Sequence, residues 1–147
     1  MQAYAECGGL MYLARSMTCH GRRFEMVGAI PGDVVLHDRP VGRGYVILGE
    51  TAAAPWPAAD GGVNDASPDL PAHEFHYAAL ENLPADTTFA YEVKRGYGID
   101  GHNDGIVMGH LLAAFTHQRN VERNPWAERF VSFVRDKKDF RINKKSA

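Results

Sequence analysis

Cysteine is scarce in this chain: Cys7 and Cys19 are the only two among 147 residues. Two thiols make no disulfide framework, and their spacing matches neither a redox C-x-x-C pair nor a zinc site, so each is judged by its own neighbours. Long apolar runs are absent too. Nothing approaches the roughly 20 residues that span a bilayer, and the first residues lack the basic-then-apolar pattern of a signal peptide, which leaves the cytoplasm as the default expectation. Charge of one sign is not in excess. Sixteen basic against eighteen acidic side chains give a formal charge of −2, so there is no electrostatic reason to expect nucleic acid or an anionic membrane as partner. A small ligand or another protein is expected instead. Nor does a G-x-x-x-x-G-K-[ST] phosphate loop occur, so the chain alone is not expected to activate a carboxylate with ATP.

What is present suits one compact domain. A chain of 147 residues, 45% apolar and 23% charged, has the composition of a globular protein. At this size about 68–70% of the unfolded surface is buried. Residues 2–6 read as a short extended segment. Cys7-Gly8-Gly9 follows as a tight turn, and Leu10, Met11, Leu13, Ala14 and Met17 then fall at helical spacing. After Gly21 come β-like runs at Met26-Val27-Gly28, Asp33 to Leu36 and Tyr45 to Leu48, punctuated by Pro31-Gly32 and Gly42-Arg43-Gly44. From Thr51 to Ala72 the chain is rich in Ala, Pro, Gly, Asp and Ser without apolar period, which predicts a flexible surface loop. Strand-like segments resume at His73 to Ala78, Phe89 to Lys94 and Gly105 to Met108, and are expected to share one sheet with the strands before the loop. The last element is the clearest helix. Asn124 is placed to cap it, Pro125 suits its first position, and Trp126, Phe130, Phe133 and Val134 fall on one face. Arg135, Lys137 and Lys138 at its end suit the helix dipole, and the basic stretch of Lys137, Lys138, Arg141, Lys144 and Lys145 reads as a solvated tail after the helix.

Cys7 is the candidate nucleophile. A cysteine between a strand and a helix sits on a sharp elbow that exposes its side chain and needs small neighbours; Ala5, Gly8 and Gly9 are small. The first N–H groups of the following helix would lie near sulfur, favouring thiolate and offering donors to an oxyanion. By pattern alone, a buried inert cysteine beside a turn fits equally well. Cys19 has no elbow and reads as structural.

The segment Ala5-Glu6-Cys7-Gly8-Gly9-Leu10-Met11-Tyr12-Leu13 resembles the nucleophile region of cobyrinic acid a,c-diamide synthases. Val27-Gly28, Pro31-Gly32, Gly44-Tyr45-Val46, His73-Glu74-Phe75-His76-Tyr77, Gly96-Tyr97-Gly98-Ile99 and Asp104-Gly105 follow in that family's order, so the resemblance covers most of the chain. It implies an α/β fold, the C-terminal part of a flavodoxin-like glutamine amidotransferase domain of class I type, with a mixed sheet flanked by helices. It implies that Cys7 takes ammonia from L-glutamine and that His117, after the apolar segment Leu111 to Phe115, is its proton carrier. Just beyond, the chain departs from the family: Arg119 and Asn120 stand where the pattern carries a second His and an aromatic residue.

His73 and His76 suggest a metal pair at first sight, but residues three apart on a strand face opposite ways, and no metal is expected. Glu74 and His76 would share a face. Glu74 is therefore the candidate third catalytic residue, against the alternative of a satisfied strand carboxylate. Gly8, Gly9, His76 and Tyr77 are the candidate substrate-binding residues.

The resemblance also implies strands before the nucleophile and a glycine-rich loop completing the oxyanion hole; none precedes Cys7 here. The missing sheet would come from another chain, like or unlike, or be absent. ATP and Mg²⁺ are expected on a synthetase domain or partner, not on this chain, and the acceptor is expected to be a carboxylate of a tetrapyrrole such as cobyrinic or hydrogenobyrinic acid, with siroheme-type amidation a variant. Two other readings stand beside this one: a docking module that has lost catalysis, and a truncated fragment with an open sheet edge prone to aggregate.

Overall fold

The computed structural model describes residues 2–57 and 69–145, those from 138 on by backbone alone. Chain order is β1 (Ala3–Glu6), α1 (Gly8–Leu13), β2 (Ala14–Cys19), β3 (Arg22–Glu25), β4 (Ile30–Leu36), β5 (Gly42–Glu50), β6 (Leu70–His76), β7 (Ala78–Glu81), β8 (Phe89–Arg95), β9 (Asn103–Met108), β10 (Leu111–Ala114), β11 (His117–Gln118) and α2 (Trp126–Lys145). The strands form a seven-stranded sheet in the order β1-β10-β9-β8-β5-β6-β11 and a four-stranded sheet in the order β3-β2-β4-β7. The class is α/β with mixed sheets flanked by helices. β1 runs parallel to β10, while the other pairings in the large sheet are antiparallel.

The ends of the large sheet are joined by only two residues, Phe115 and Thr116, because β10 and β11 are nearly one strand. So short a link spans at most about 10 Å. The sheet therefore curls until β1 and β11 are neighbours, and that closure builds the site.

Strand alternation sorts the core into two halves. Ala5, Ile106, Ala113 and Phe115 face Leu10 of α1 and Ile30, Val34, Ala78 and Leu80 of the small sheet. Val46, Leu48, Leu70, Tyr91 and Leu112 face the other way, with Phe130 and Phe133 of α2 against them. The layers are α2, the large sheet, then α1 with the small sheet.

Several sequence expectations are corrected here. The helix expected through Met17 stops at Leu13: Ala14 and Ser16 are buried and Arg15 exposed, a two-residue period that the pairing of β2 with β3 and β4 exploits. The strand expected at Met26 to Gly28 lies one step earlier, at β3, an edge strand exposed along its length whose one apolar side chain, Phe24, gives no alternation. The strands do not share one sheet. β5 and β6 pair within the large one, but β4 and β7 pair in the small one. Of the predicted loop 51–72, residues 58–68 lie outside the described residues, Leu70 to Ala72 belong to β6, and Trp56 is only 5% exposed, held in the core by aromatic contacts with Tyr4, Phe130 and Phe133. The N-terminal cap of α2 comes from Asn120, whose Oδ1 accepts the Ala127 N–H at 3.2 Å; the Asn124 side chain is engaged with Gln118 and Arg129 instead. Among the described residues no helix is long and apolar enough to cross a membrane.

Candidate active site

Cys7 stands at the corner between β1 and α1 with φ 46° and ψ −101°. A positive φ is unusual for a residue with a Cβ, and such a conformation persists only where its surroundings impose it. Here the Cys7 N–H donates to Ala114 O at 2.8 Å and its carbonyl accepts the Met11 N–H at 3.0 Å, which pins both sides of the corner. A Cβ on Gly9 would come within 3.3 Å of the Ala5 Cβ, so the strand and helix approach here as closely as the elbow requires, whereas Gly8 has open space around it. The thiol is part-exposed. Burial pushes its pKa up, the Gly8 N–H pulls it down, and the Glu6 charge adds to the rise; the net shift is upward. The thiolate expected from the helix terminus is thus not favoured at rest, because α1 is a six-residue turn and desolvation outweighs one N–H.

His117 opens β11, three residues beyond Ala114. Its Nδ1–H donates to Glu6 Oε2 at 3.1 Å, and the two side chains are 31% and 28% exposed, open enough for a substrate to reach. The other Glu6 oxygen accepts the Tyr4 hydroxyl at 2.7 Å and the Gln118 N–H at 3.2 Å. Burial, followed by the nearby Glu6 charge, raises the Tyr4 pKa far above its ordinary value, which keeps this hydroxyl a donor. On the open side, the His73 ring stacks on His117 with centroids 5.0 Å apart. The structure thus places Cys7 and His117 in one neighbourhood, linked by Glu6, which adjoins Cys7 in the chain and His117 in space.

Glu74 is elsewhere. The carboxylate on His117 is Glu6, so the third place assigned to Glu74 from strand parity is corrected. Glu74 is 3% exposed and accepts the N–H groups of Tyr97 at 2.8 Å and Gly98 at 2.9 Å, with His76 Nε2 at 3.4 Å. Burial alone would raise its pKa; the hydrogen bonds from His76, Gly98 and Tyr97 outweigh it, and the net shift is downward. It clamps the 96–98 turn to β6. His76 is likewise corrected as a substrate contact. It is 2% exposed, its Nδ1–H donates to Ala78 O at 2.8 Å, and its ring lies flat on Phe115 with centroids 4.2 Å apart. A Cβ at position 42 would overlap His76 Nε2 and sit 2.6 Å from Glu74 Oε2, so glycine is needed there to make room for the pair. Tyr77 is exposed and lines a cavity of about 440 Å³ with Cys19, His20, Gly21, Leu36, His37 and Asp38; neither Cys7 nor His117 borders that cavity.

Asp104 escaped the sequence reading except as part of a motif. Fully buried, it accepts the N–H groups of Phe115 and Thr116, each at 3.0 Å, and the Thr116 hydroxyl at 2.5 Å, which holds the link that delivers His117. Burial raises its pKa despite those donors. Glu6 was legible in principle: alternation puts Tyr4 and Glu6 on one face of β1, a donor and a carboxylate immediately before Cys7.

A family model, the CobB/CobQ-like glutamine amidotransferase domain, matches residues 1–125. The chain belongs to that family. Among similar curated proteins, a cobyrinate a,c-diamide synthase of Magnetococcus marinus is 39% identical over 141 residues, covering 95% of this chain and 28% of the relative. Another from Archaeoglobus fulgidus is 34% identical over 135 residues, covering 92% of this chain and again 28% of the relative. This amidotransferase-family chain therefore spans somewhat over a quarter of the length of either. The crystal structure of a candidate GMP synthase subunit from Thermoplasma acidophilum superposes with a TM-score of 0.60 at 15% identity, covering 96% of this chain and 61% of that one, a likeness of fold.

Proposed function

We propose that this chain is the glutamine-hydrolysing part of an ATP-dependent amidoligase that amidates acetate side chains of a tetrapyrrole such as cobyrinic or hydrogenobyrinic acid. The observation that carries the reading is the strained elbow at Cys7 beside the carboxylate-bound His117. The cobyrinate a,c-diamide synthases among the relatives support the acceptor class over siroheme.

Each step uses groups of this chain. Cys7 gives its proton to His117 Nε2, the ring nitrogen that Glu6 leaves free, and sulfur forms a bond to the glutamine amide carbon as the carbonyl π pair moves onto oxygen. With the thiol held up at rest, this transfer to His117 supplies the thiolate. When the tetrahedral species collapses, the C–N bond breaks and the His117 proton leaves with nitrogen as ammonia. Water then gives a proton to His117 as its oxygen bonds to the thioester carbon, the C–S bond breaks to release glutamate with the electron pair left on sulfur, and the proton returns to sulfur. ATP and Mg²⁺ would act outside this chain, on a synthetase part whose activated carboxyl would take up the ammonia.

The test is glutamate release from L-glutamine by the full chain and its Cys7→Ser variant. Release should fall by roughly 10³-fold or more in the variant, the scale expected when a nucleophile is lost. Release that survives Cys7→Ser unchanged would overturn the reading.

A further inference from the structure

We infer that Glu6 is the residue that positions His117 for proton transfer, a role that rests on the reading of Cys7 and His117 as the reacting pair. Strand alternation puts Glu6 on the face of Tyr4 but not against any imidazole; its place beside His117 follows from the closure of the curled sheet.

The geometry has three independent parts. First, Glu6 Oε2 accepts the His117 Nδ1–H at 3.1 Å. A hydrogen bond of this kind fixes which ring nitrogen carries the proton and keeps the other as the acceptor, and it stabilises the imidazolium that forms when the thiol proton arrives. Second, the remaining oxygen is not idle: the Tyr4 hydroxyl and the Gln118 N–H converge on Oε1 at 2.7 and 3.2 Å, so the carboxylate cannot turn away. Third, those holders are themselves fixed. Tyr4 is wedged against Trp56, Trp126 and Phe130, with ring centroids 5.9, 4.9 and 6.3 Å away. Gln118 is tied through its side chain to the buried Tyr91 hydroxyl at 2.5 Å and to Asn124 at 3.2 Å. A carboxylate held by two donors and aimed at one imidazole nitrogen is a preorganised partner. Glu74, on the strand that pairs β11, already accepts from two backbone N–H groups and faces His76, and Asp104 already accepts from Phe115 and from the Thr116 N–H and hydroxyl, so neither competes for the role.

The same donors make the outcome of a substitution specific. In Glu6→Gln the amide oxygen is drawn to the Tyr4 hydroxyl and Gln118 N–H, both of which donate. The amide NH₂ is then left facing His117 Nδ1, which must become an acceptor, and the ring proton moves to Nε2. That tautomer cannot take a proton from the Cys7 thiol.

The experiment compares the full-length wild type, Glu6→Gln and Glu6→Asp by glutamate release and by ¹⁵N NMR of His117, with thermal melts confirming that each variant folds. In Glu6→Gln, kcat should drop on the order of 10²- to 10⁴-fold with KM for glutamine changed by no more than about threefold, the pattern of a tautomer error and not of lost binding. The His117 signals should switch from Nδ1–H to Nε2–H, and Glu6→Asp should recover part of kcat with the Nδ1–H signal. A Glu6→Gln variant that is folded, keeps Nδ1–H and retains wild-type kcat overturns the inference. Should the wild type show no Cys7-dependent glutamate release, the reaction assigned to the pair fails instead; the NMR comparison still decides whether Glu6 sets the His117 tautomer, and an unchanged tautomer there rejects the inference independently.

Discussion

Cys7 and Asp33 show two ways in which single residues of this chain are governed by their surroundings. At Cys7 the constraint is conformational: β1 and α1 together hold a left-handed φ that a side chain ordinarily avoids. At Asp33 the constraint is electrostatic. Its carboxylate accepts from Arg15 Nε and Nη2, Ser16 Oγ, Arg23 Nη2 and Asn82 Nδ2, gathering β2, β3, β4 and the end of β7 on one charge. The Arg15 hydrogen bonds above all, then Ser16, hold the Asp33 carboxyl well below the usual carboxylate range. A folded-state pKa below the unfolded one means the unfolded chain binds more protons in acid. The stabilisation is then complete above about pH 4, the ordinary Asp value, and is lost as pH falls toward the depressed folded value. Thermal melts between neutral pH and strong acid should therefore show Asp33→Asn less stable than wild type at neutral pH but less sensitive to acid. Parallel curves would show that Asp33 is not the titrating anchor of the small sheet.

Among the elements, α1 and α2 show where local pattern was sufficient and where it was not. The apolar face of α2 was readable because Trp126, Phe130 and Phe133 repeat at helical spacing and do meet Tyr4 and Trp56. Its cap was misplaced for a tertiary reason: Asn124 is drawn into the chain of hydrogen bonds from Tyr91 through Gln118 to Arg129, and Asn120 lies where the first turn needs an acceptor. Asn120→Ala should therefore destabilise the protein by about 1 kcal/mol, the usual loss for an N-cap, measurable as a lower denaturant midpoint at unchanged m-value. No change on Asn120→Ala would return the capping role to backbone and water. The early end of α1 has a similar origin. A short apolar run satisfies helix and strand patterns alike, and the partners that select a strand from Ala14 onward are β3 and β4, which follow it in the chain.

Taken whole, the molecule is a curled mixed sheet whose two ends meet at His117, and the chain spans 28% of the Magnetococcus and of the Archaeoglobus cobyrinate a,c-diamide synthase. If it supplies ammonia to a synthetase part, glutamate release and amide formation should be coupled. Adding a synthetase that carries the phosphate loop, with ATP, Mg²⁺ and a tetrapyrrole acid, should raise glutamate release about tenfold or more by closing the site around glutamine, and should yield amidated product that disappears with Cys7→Ser. Product formed from free ammonium but never from glutamine would separate this chain from that partner.

By itself the sequence determined the elbow at Cys7, the apolar approach to His117, the apolar face of the last helix and the two faces of β6, because each depends on neighbours within a few positions: a turn, a periodicity, a two-residue alternation. Only the tertiary structure decided that Glu6, not Glu74, meets His117. Parity along a strand tells which side a carboxylate takes but not which imidazole lies there. The pairing spans 111 positions of sequence and exists because the two-residue link between β10 and β11 draws the ends of the sheet together. It likewise took the fold to show that His76 and Glu74 are buried under Phe115 and the 96–98 turn, and that burial pushes the Cys7 thiol pKa up. Desolvation is a property of everything packed around a group, and no local segment carries it.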